Sequence, residues 1–366
     1  MILAIETSCD DSAIALIGPR GEILFEALSS QIDLHAKYGG VVPEIASRKH
    51  LISLSFLLHE LEAHPAFDPE KIRAIAVTQS PGLVGSVLVG LSWAKGLSWA
   101  WKKPLIAVDH LEGHLLAPFL DHPDLEYPYL GLIASGGHTH LVYVEGLGDY
   151  RLLGRTMDDA LGEAYDKVAK MLGFEYPGGP IVDAIASNAT TASIKFPIPL
   201  LRRKTFNFSF SGLKTAVRNE AIKLNLRVEH SKLLRYDDYL QMEPEKKALI
   251  EDLCNSFQQC CAQIVANRFE QAIKILQPKR LVLTGGVAAN LGIRAKLSEL
   301  AKRKGAVLYC PTPAHCTDNG AMIGQVAFQY LSKNKGICPD PLSLAASPKS
   351  TLGLMEIDPM FDLEKQ

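Results

Sequence analysis

None of the seven cysteines (Cys9, Cys254, Cys260, Cys261, Cys310, Cys316 and Cys338) forms a CxxC pair. This argues against a zinc ribbon or a disulfide framework and leaves most of them as buried free thiols. No apolar run reaches membrane-spanning length. The formal net charge is only −2, so the chain as a whole has no attraction for nucleic acid or a membrane surface, and any contact with RNA must come from a local basic stretch. Residues 1–6 lack the basic region of a secretory signal and read as a core strand, from which a cytoplasmic protein is expected. What the chain does have is apolar content: 366 residues at 47% hydrophobic and 21% charged suffice for two domains with full cores.

Two internal repeats organise that content. Residues 3–17 run strand, polar turn, strand (LAIE, TSCDDS, AIALI), and residues 130–144 repeat the pattern (LGLIA, SGGHTH, LVYV), with Ser8 opposite Ser135 and Asp11 opposite His138. Residues 72–108 read as strand, glycine-rich turn, helix and strand, and residues 280–310 repeat that order. Each half also carries an earlier helix, over 43–64 and 245–276. The expectation is a duplicated α/β chain: a lobe over 1–125, a second over 126–332 with an insertion at about 157–245, and a Pro-, Ser- and Gly-rich tail over 333–366 that is poorly ordered. Ligands in such folds sit outside the carboxyl ends of strands and at domain junctions, so both hairpin turns are expected at an inter-lobe cleft.

His110-Leu-Glu-Gly-His114 follows the apolar run 105–108 and puts two imidazoles on one face of a helix, a metal-ligand spacing. A buried helix end with satisfied side chains is the plainer alternative for the pair alone. The pseudo-symmetry of the repeats offers Asp318 as the third ligand, because His110 and Asp318 each lie shortly after the last strand of a repeat. Ser135-Gly136-Gly137 can offer backbone N–H groups to a phosphate, or can simply make a tight hairpin. Asp10 and Asp11 in the matching turn can hold a cation or move a proton, or can serve only the turn. Asn290 after Gly285-Gly286 can contact a base or cap a helix, and Gly179 with Asp183 carries the same ambiguity. Arg202, Arg203, Lys204, Lys214 and Arg218 interleave with Phe206, Phe208 and Phe210, which suits RNA, while alternating Phe equally suits a half-buried strand.

The stretches IETSCDDS, HAKYGGVVPEIASRKH, SPGLVGSVLVG, HLEGHLLAP, ASGGHTHLV, DDALGEAYDKVAKMLG, YPGGP, FSFSGLKTAV, TGGVAAN and CTDNGAMIG together resemble the universal tRNA threonylcarbamoyl-adenosine transferase family (TsaD in bacteria). The resemblance runs in order from residue 2 to about residue 325 and leaves the tail outside. It implies a duplicated actin-like (ASKHA, ribonuclease H-like) two-lobe fold. It implies transfer of a threonylcarbamoyl group from threonylcarbamoyl-AMP to the N6 amine of the adenosine at position 37, in tRNAs reading codons that begin with A. By motif match, one divalent metal per subunit, iron(II) with zinc or manganese as alternatives, falls on His110, His114 and Asp318, and substrate contacts fall on Ile133, Ala134, Ser135, Gly136, Gly137, Asp166, Gly179, Asp183 and Asn290. The partners it implies are tRNA, a TsaB-like paralogue and a TsaE-like ATPase, and it allows a homo-oligomer. Asp109 departs from the pattern, since many members have a second His there. Three other classes compete: an actin-like small-molecule kinase, a non-catalytic scaffold and a metalloprotease. The last is disfavoured, because Glu112 lies about 200° round the helix from His110 at ~100° per residue.

Overall fold

The computed structural model describes residues 1–201, 203–226, 233–338, 340–350, 352 and 355–356. They divide into two compact units, Met1–Leu125 with Pro311–Gly353, and Glu126–Cys310 with Leu354–Gln366.

In the first unit the chain forms β1 (Ile2–Glu6), β2 (Asp11–Ile17), β3 (Ile23–Ser30), α1 (Ile32–Ala36), α2 (Pro43–Glu62), β4 (Ala74–Ser80), α3 (Val84–Trp101), β5 (Leu105–Asp109), α4 (His110–Leu116) and α5 (Pro118–Asp121). The sheet order is β3-β2-β1-β4-β5. The hairpins are antiparallel (Ile2 opposite Ile17), and β1, β4 and β5 run parallel (Ile2 opposite Ala74, Ile75 opposite Leu105). Every residue of β1 is buried: Ile2 to Ile5 form an apolar run at the centre of this mixed sheet, and Glu6 closes it with a buried carboxylate. Pro43 starts α2, where its missing N–H costs nothing, and Leu54, Leu57 and Leu61 of that helix join the core with Ile5, Ile14 and Val77.

The second unit repeats the plan with β6 (Tyr129–Ala134), β7 (Thr139–Gly146), β8 (Asp149–Arg155), α6 (Leu161–Met171), α7 (Gly178–Asn188), α8 (Ser211–Lys223), α9 (Tyr236–Leu240), α10 (Pro244–Leu276), β9 (Arg280–Thr284), α11 (Leu291–Lys304) and β10 (Val307–Tyr309). Its order, β10-β9-β6-β7-β8 with a short β11 (Met355–Glu356) at the edge, is the first sheet's order read in reverse. Again the first two pairings are antiparallel, and β6, β9 and β10 run parallel. The duplication read from the two repeats is therefore a duplication of topology. The expected insertion corresponds to α6 to α9, between β8 and α10.

After β10 the chain returns to the first unit as α12 (Pro313–Cys316) and α13 (Gly320–Ser332). This differs from the boundaries expected from the sequence, which left 311–332 in the second lobe. The reason is a fit of small residues. A Cβ on Gly320 would meet Ala15 N at 2.7 Å and one on Gly324 would meet Ile17 Cγ1 at 2.3 Å, so α13 lies directly on β1 and β2. In the tail, residues between 342 and 350 are attached to the first unit, while 339, 351, 353, 354 and 357–366 lie outside the described residues. Lys95 Nζ donates to the carbonyls of Leu342 (3.0 Å) and Leu344 (2.6 Å), Gln79 Nε2 donates to Ala345 O (3.0 Å), and Ser350 Oγ donates to Asp109 Oδ2 (2.7 Å). Leu344 and Ala346 pack on the first core. Among the described residues, no helix is long and apolar enough to cross a membrane.

Candidate functional site

The first cluster stands where β5 meets α4. Asp109 Oδ1 accepts from Leu111 N (2.9 Å), so strand passes into helix without a loop, and His110 becomes the first helical residue. His114 lies one turn on, its ring 4.6 Å from that of His110. Asp318 arrives at the start of α13, where Asn319 caps the helix through Met322 N (2.8 Å) and also donates to Thr317 O (2.8 Å). Asp318 Oδ1 is 3.2 Å from His114 Nε2 and 3.5 Å from His110 Nε2, and one ligand atom from each residue lies within 4.8 Å of the others. Donors held about 2.1 Å from a single ion at tetrahedral to octahedral angles stand about 3.0–3.4 Å apart, so the three residues fit one divalent ion. All three belong to the first unit. The ligands were expected from both halves, but α13 carries Asp318 back onto the first sheet.

Residues not singled out from the sequence hold these ligands. His110 Nδ1 is 3.1 Å from Ser8 Oγ and 3.4 Å from the Oε2 of Glu6, a wholly buried carboxylate. An N–H on Nδ1 directed at those oxygens leaves Nε2 as the ligating nitrogen. Glu6 also accepts from Ser8 N (2.5 Å) and from the Thr78 hydroxyl. Burial acts to raise the pKa of Glu6, but the charge and hydrogen bond of His110 outweigh it and hold the carboxyl below its usual range. Burial likewise opposes charge on His110, yet the Asp318 and Glu6 carboxylates push its pKa up to about 9. A group of anions that stabilises a proton here would stabilise a cation in the same place. Glu6 was legible as the buried end of a strand in IETSCDDS, but nothing in the pattern said which imidazole it would meet.

The turn before β2 holds Asp10 and Asp11. Burial first, then the like charges of Asp10 and Asp318, raise the Asp11 carboxyl to about 7 against hydrogen bonds from Ser30 and Gln31, and its Oδ1 is buried without a hydrogen-bond partner. His50 fastens this turn: its Nε2 donates to Cys9 O (2.9 Å) and its Nδ1 accepts from Ser12 Oγ (2.7 Å). Glu112 is buried and accepts from the Tyr330 hydroxyl at 2.7 Å, so it is committed to α13.

A second cluster lies in the other unit. Ser135 N donates to His138 O (2.8 Å) and His138 N to Ser135 Oγ (3.1 Å), which closes a turn whose Gly136 and Gly137 are exposed. Ile133 and Ala134 end β6 in the core. Gly285, at φ +86°, passes so close that a Cβ would meet Ala134 O at 2.5 Å. Asp166 Oδ1 accepts from Gly178 N (2.8 Å) and Gly179 N (3.3 Å), and burial raises its pKa against those two bonds. Asp183 Oδ2 accepts from Leu291 N (3.1 Å), while its Oδ1 is buried without a hydrogen-bond partner. Asn290 takes the capping role: its Oδ1 accepts from Ile293 N (2.8 Å) and its Nδ2 donates to Gln258 Oε1 (2.8 Å).

The basic-aromatic run resolves toward the plainer reading for its rings. Phe206, Phe208 and Phe210 are buried, so they do not offer faces to bases, and Phe208 bridges to Thr156 in strand fashion. Lys214 pairs with Asp159 at 2.7 Å, beside Lys167 at 2.8 Å from the same carboxylate, and so is bound up in an internal network. Arg203, Lys204 and Arg218 are exposed, and Arg202 lies outside the described residues.

The repeated β-sheet plan defines a duplicated α/β chain of the actin-like class, in which one unit carries a group of residues that could hold a metal ion. Two solved structures share the fold at 13–14% identity: HypF from T. kodakarensis (TM-score 0.58, 91% of this chain and 48% of that one) and the activator of 2-hydroxyisocaproyl-CoA dehydratase from Clostridium difficile (TM-score 0.51, 91% and 96%). The chain belongs to the tRNA N6-adenosine threonylcarbamoyltransferase family (TsaD), whose family model matches residues 22–325. Proteins of that name from Trichlorobacter lovleyi and Carboxydothermus hydrogenoformans are 45% and 44% identical to it, covering 95% and 96% of this chain and 95% and 98% of their own.

Proposed function

We propose that the chain transfers the threonylcarbamoyl group of threonylcarbamoyl-AMP to the N6 amine of adenosine 37 in tRNAs reading codons that begin with A. The observation that carries the site reading is the convergence of His110, His114 and Asp318 on one point, with Glu6 and Ser8 orienting His110. A divalent ion held by two imidazoles and a carboxylate, iron(II) by family resemblance and zinc or manganese by donor chemistry, supplies Lewis-acid stabilisation of phosphate oxygens when bound.

The chain's own groups serve the rest of the transfer. The Gly136 and Gly137 N–H groups of the exposed turn meet negative charge growing on the departing AMP phosphate. Asp183 Oδ1 and the second oxygen of Asp166 accept ribose hydroxyls, while Gly179 and Gly285 let backbone approach the nucleoside closely. The remaining amide hydrogen and lone pair of Asn290 serve the base edge. As the adenosine amine forms its bond to the carbamoyl carbon, the carbon–oxygen bond to phosphate breaks. The amine's proton passes to Asp11, whose raised pKa suits a base working near neutrality, with Asp10 beside it. Arg203, Lys204 and Arg218 offer cations to the tRNA backbone. Leu51, Ile52 and Phe56, exposed along α2, give a protein partner an apolar face, which supports the TsaB-like and TsaE-like partners of the bacterial reaction. A protease reading finds no support, because Glu112 is engaged by Tyr330.

Reconstitution tests this reading. Unmodified tRNA, threonylcarbamoyl-AMP, ATP, candidate sugars and the two partner proteins are incubated with the chain, and the nucleosides are analysed by mass. Adenosine carrying the added threonylcarbamoyl mass is the expected product. Nucleosides unchanged, with ATP and a sugar consumed instead, would replace it with the kinase reading.

A further inference from the structure

Arg268, in the middle of α10, is 1% exposed, and no described carboxylate pairs with it. Its Nη1 donates to Thr205 O and its Nη2 to Leu200 O, each at 2.9 Å, and its Nε is buried without a hydrogen-bond partner. A guanidinium taken out of water without a counter-charge is costly, and two main-chain carbonyls are what hold it here. They belong to one short loop. Leu200 in that loop has φ +56°, a conformation that a branched side chain keeps only when its surroundings impose it.

The loop ends a longer strip. After α7 the chain runs along one stripe of α10. Asp252 accepts from Thr191 Oγ1 and Ser193 N, both at 2.8 Å, Ser256 Oγ accepts from Ile194 N at 3.1 Å, and Cys260 Sγ is 3.7 Å from Pro197 O. With Arg268 these positions are spaced by four or eight residues, the repeat of a single helix face. The strip exposes Lys195, Arg203 and Lys204 to solvent. Its basic end therefore rests on the one buried cation of the stripe.

We propose that residues 191–201 and 203–205 form a pre-shaped contact strip for the RNA phosphate backbone and that Arg268 is the positioning residue that fixes its basic end. This rests on the reading of Arg203 and Lys204 as tRNA contacts. Arg at 268 is specific for the role, because a planar fork reaches two carbonyls at once, whereas a lysine ammonium on a flexible stem does not hold both in one fixed geometry. A polyanion then meets cations already arranged, with little ordering left to be done on binding.

The test measures binding of an unmodified tRNA transcript to the full-length chain over a range of salt. The variants are Arg268→Lys, Arg268→Met and the double variant Arg203→Ala with Lys204→Ala. Arg268→Met fills the same space with an apolar chain and guards against loss of folding. Both Arg268 variants should bind tRNA several-fold more weakly, and the slope of log affinity against log salt should flatten by up to about 1.5, the equivalent of two phosphate contacts. Hydrogen exchange should quicken at the Arg203 and Thr205 amides and not along α10, with metal content unchanged. If the double variant weakens binding while both Arg268 variants match the parent, the positioning role is overturned. If the double variant itself binds as the parent does, the reading of the basic strip fails, and this inference with it.

Discussion

Single side chains carry most of the chemistry assigned to this protein, and three can be tested one at a time. Glu6 has no metal-facing atom of its own, yet it stands behind His110 Nδ1, so Glu6→Gln should weaken metal affinity by roughly 10–100-fold, the usual effect of losing such a partner. Competition with a chelator of known strength measures it, and an unchanged affinity would detach Glu6 from the site. Asp183 presents a buried oxygen without a hydrogen-bond partner, so Asp183→Ala should cost about 1.5–3 kcal/mol of adenylate binding in calorimetry, the scale of a hydrogen bond to a charged group. Asp11 gives a pH signature. With a pKa of about 7, its basic form disappears as pH falls through 7, so kcat/KM should decline on that acid limb. Asp11→Asn should remove the limb along with most of the rate, whereas a limb that persists in the variant would assign the base elsewhere. At this scale the sequence was informative about ligand types and poor about their second contacts. His110, His114 and Asp318 could be named from motifs, but Glu6 and His50 are defined by chain crossings that no local spacing encodes.

At the level of elements, the ends of α4 and α13 decide the site, and both are held by polar groups outside the metal cluster. His315 on α12 links three segments: its Nδ1 lies 3.0 Å from Asp121 Oδ1 at the end of α5, and its Nε2 lies 3.5 Å from Glu26 Oε2 on β3. Hydrogen bonding to Glu26, then to Asp121, outweighs burial and raises the His315 pKa to about 9. Because the folded value lies above the ordinary 6.5, the stabilisation is complete below pH 6.5 and is lost as pH rises through about 9. His315→Gln should therefore lower Tm clearly at pH 6, by the equivalent of about 1 kcal/mol, and by much less at pH 9.5. An equal loss at both pH values would mean that the charge contributes nothing. Periodicity recovered the elements well: the helix expected over 245–276 is α10. It could not say that α13 would cover the first sheet, because an apolar face with small residues at Gly320 and Gly324 specifies close packing and not which sheet supplies it. The Phe206 to Phe210 run shows the same limit, since alternation at period two fits a strand or a row of exposed rings, and burial alone separates them.

Across the whole molecule, duplication is the feature most legible in the sequence, because each repeat must satisfy the same sheet order and so keeps the same spacing of strand, turn and helix. Division of labour between the copies was not legible. The first unit gathers imidazole and carboxylate around β5, α4 and α13, and the second gathers glycine turns and the Asp166 and Asp183 carboxylates around β6, α6, α7 and α11. Tail residues offered only composition, and their attachment depends on main-chain carbonyls that accept from Lys95 and Gln79 and on the Ser350 hydroxyl that donates to Asp109, pairings that composition does not reveal. The central claim is that one divalent ion on His110, His114 and Asp318 is needed for transfer to tRNA. The measurement that tests it most directly is the amount of threonylcarbamoyl-adenosine formed per bound metal ion, in the parent and in Asp318→Ala, after chelation and after metal is restored. The account predicts that product tracks metal in the parent, returns on reloading, and stays absent in a folded Asp318→Ala that retains little metal. Full modification of tRNA by the metal-free protein would contradict it.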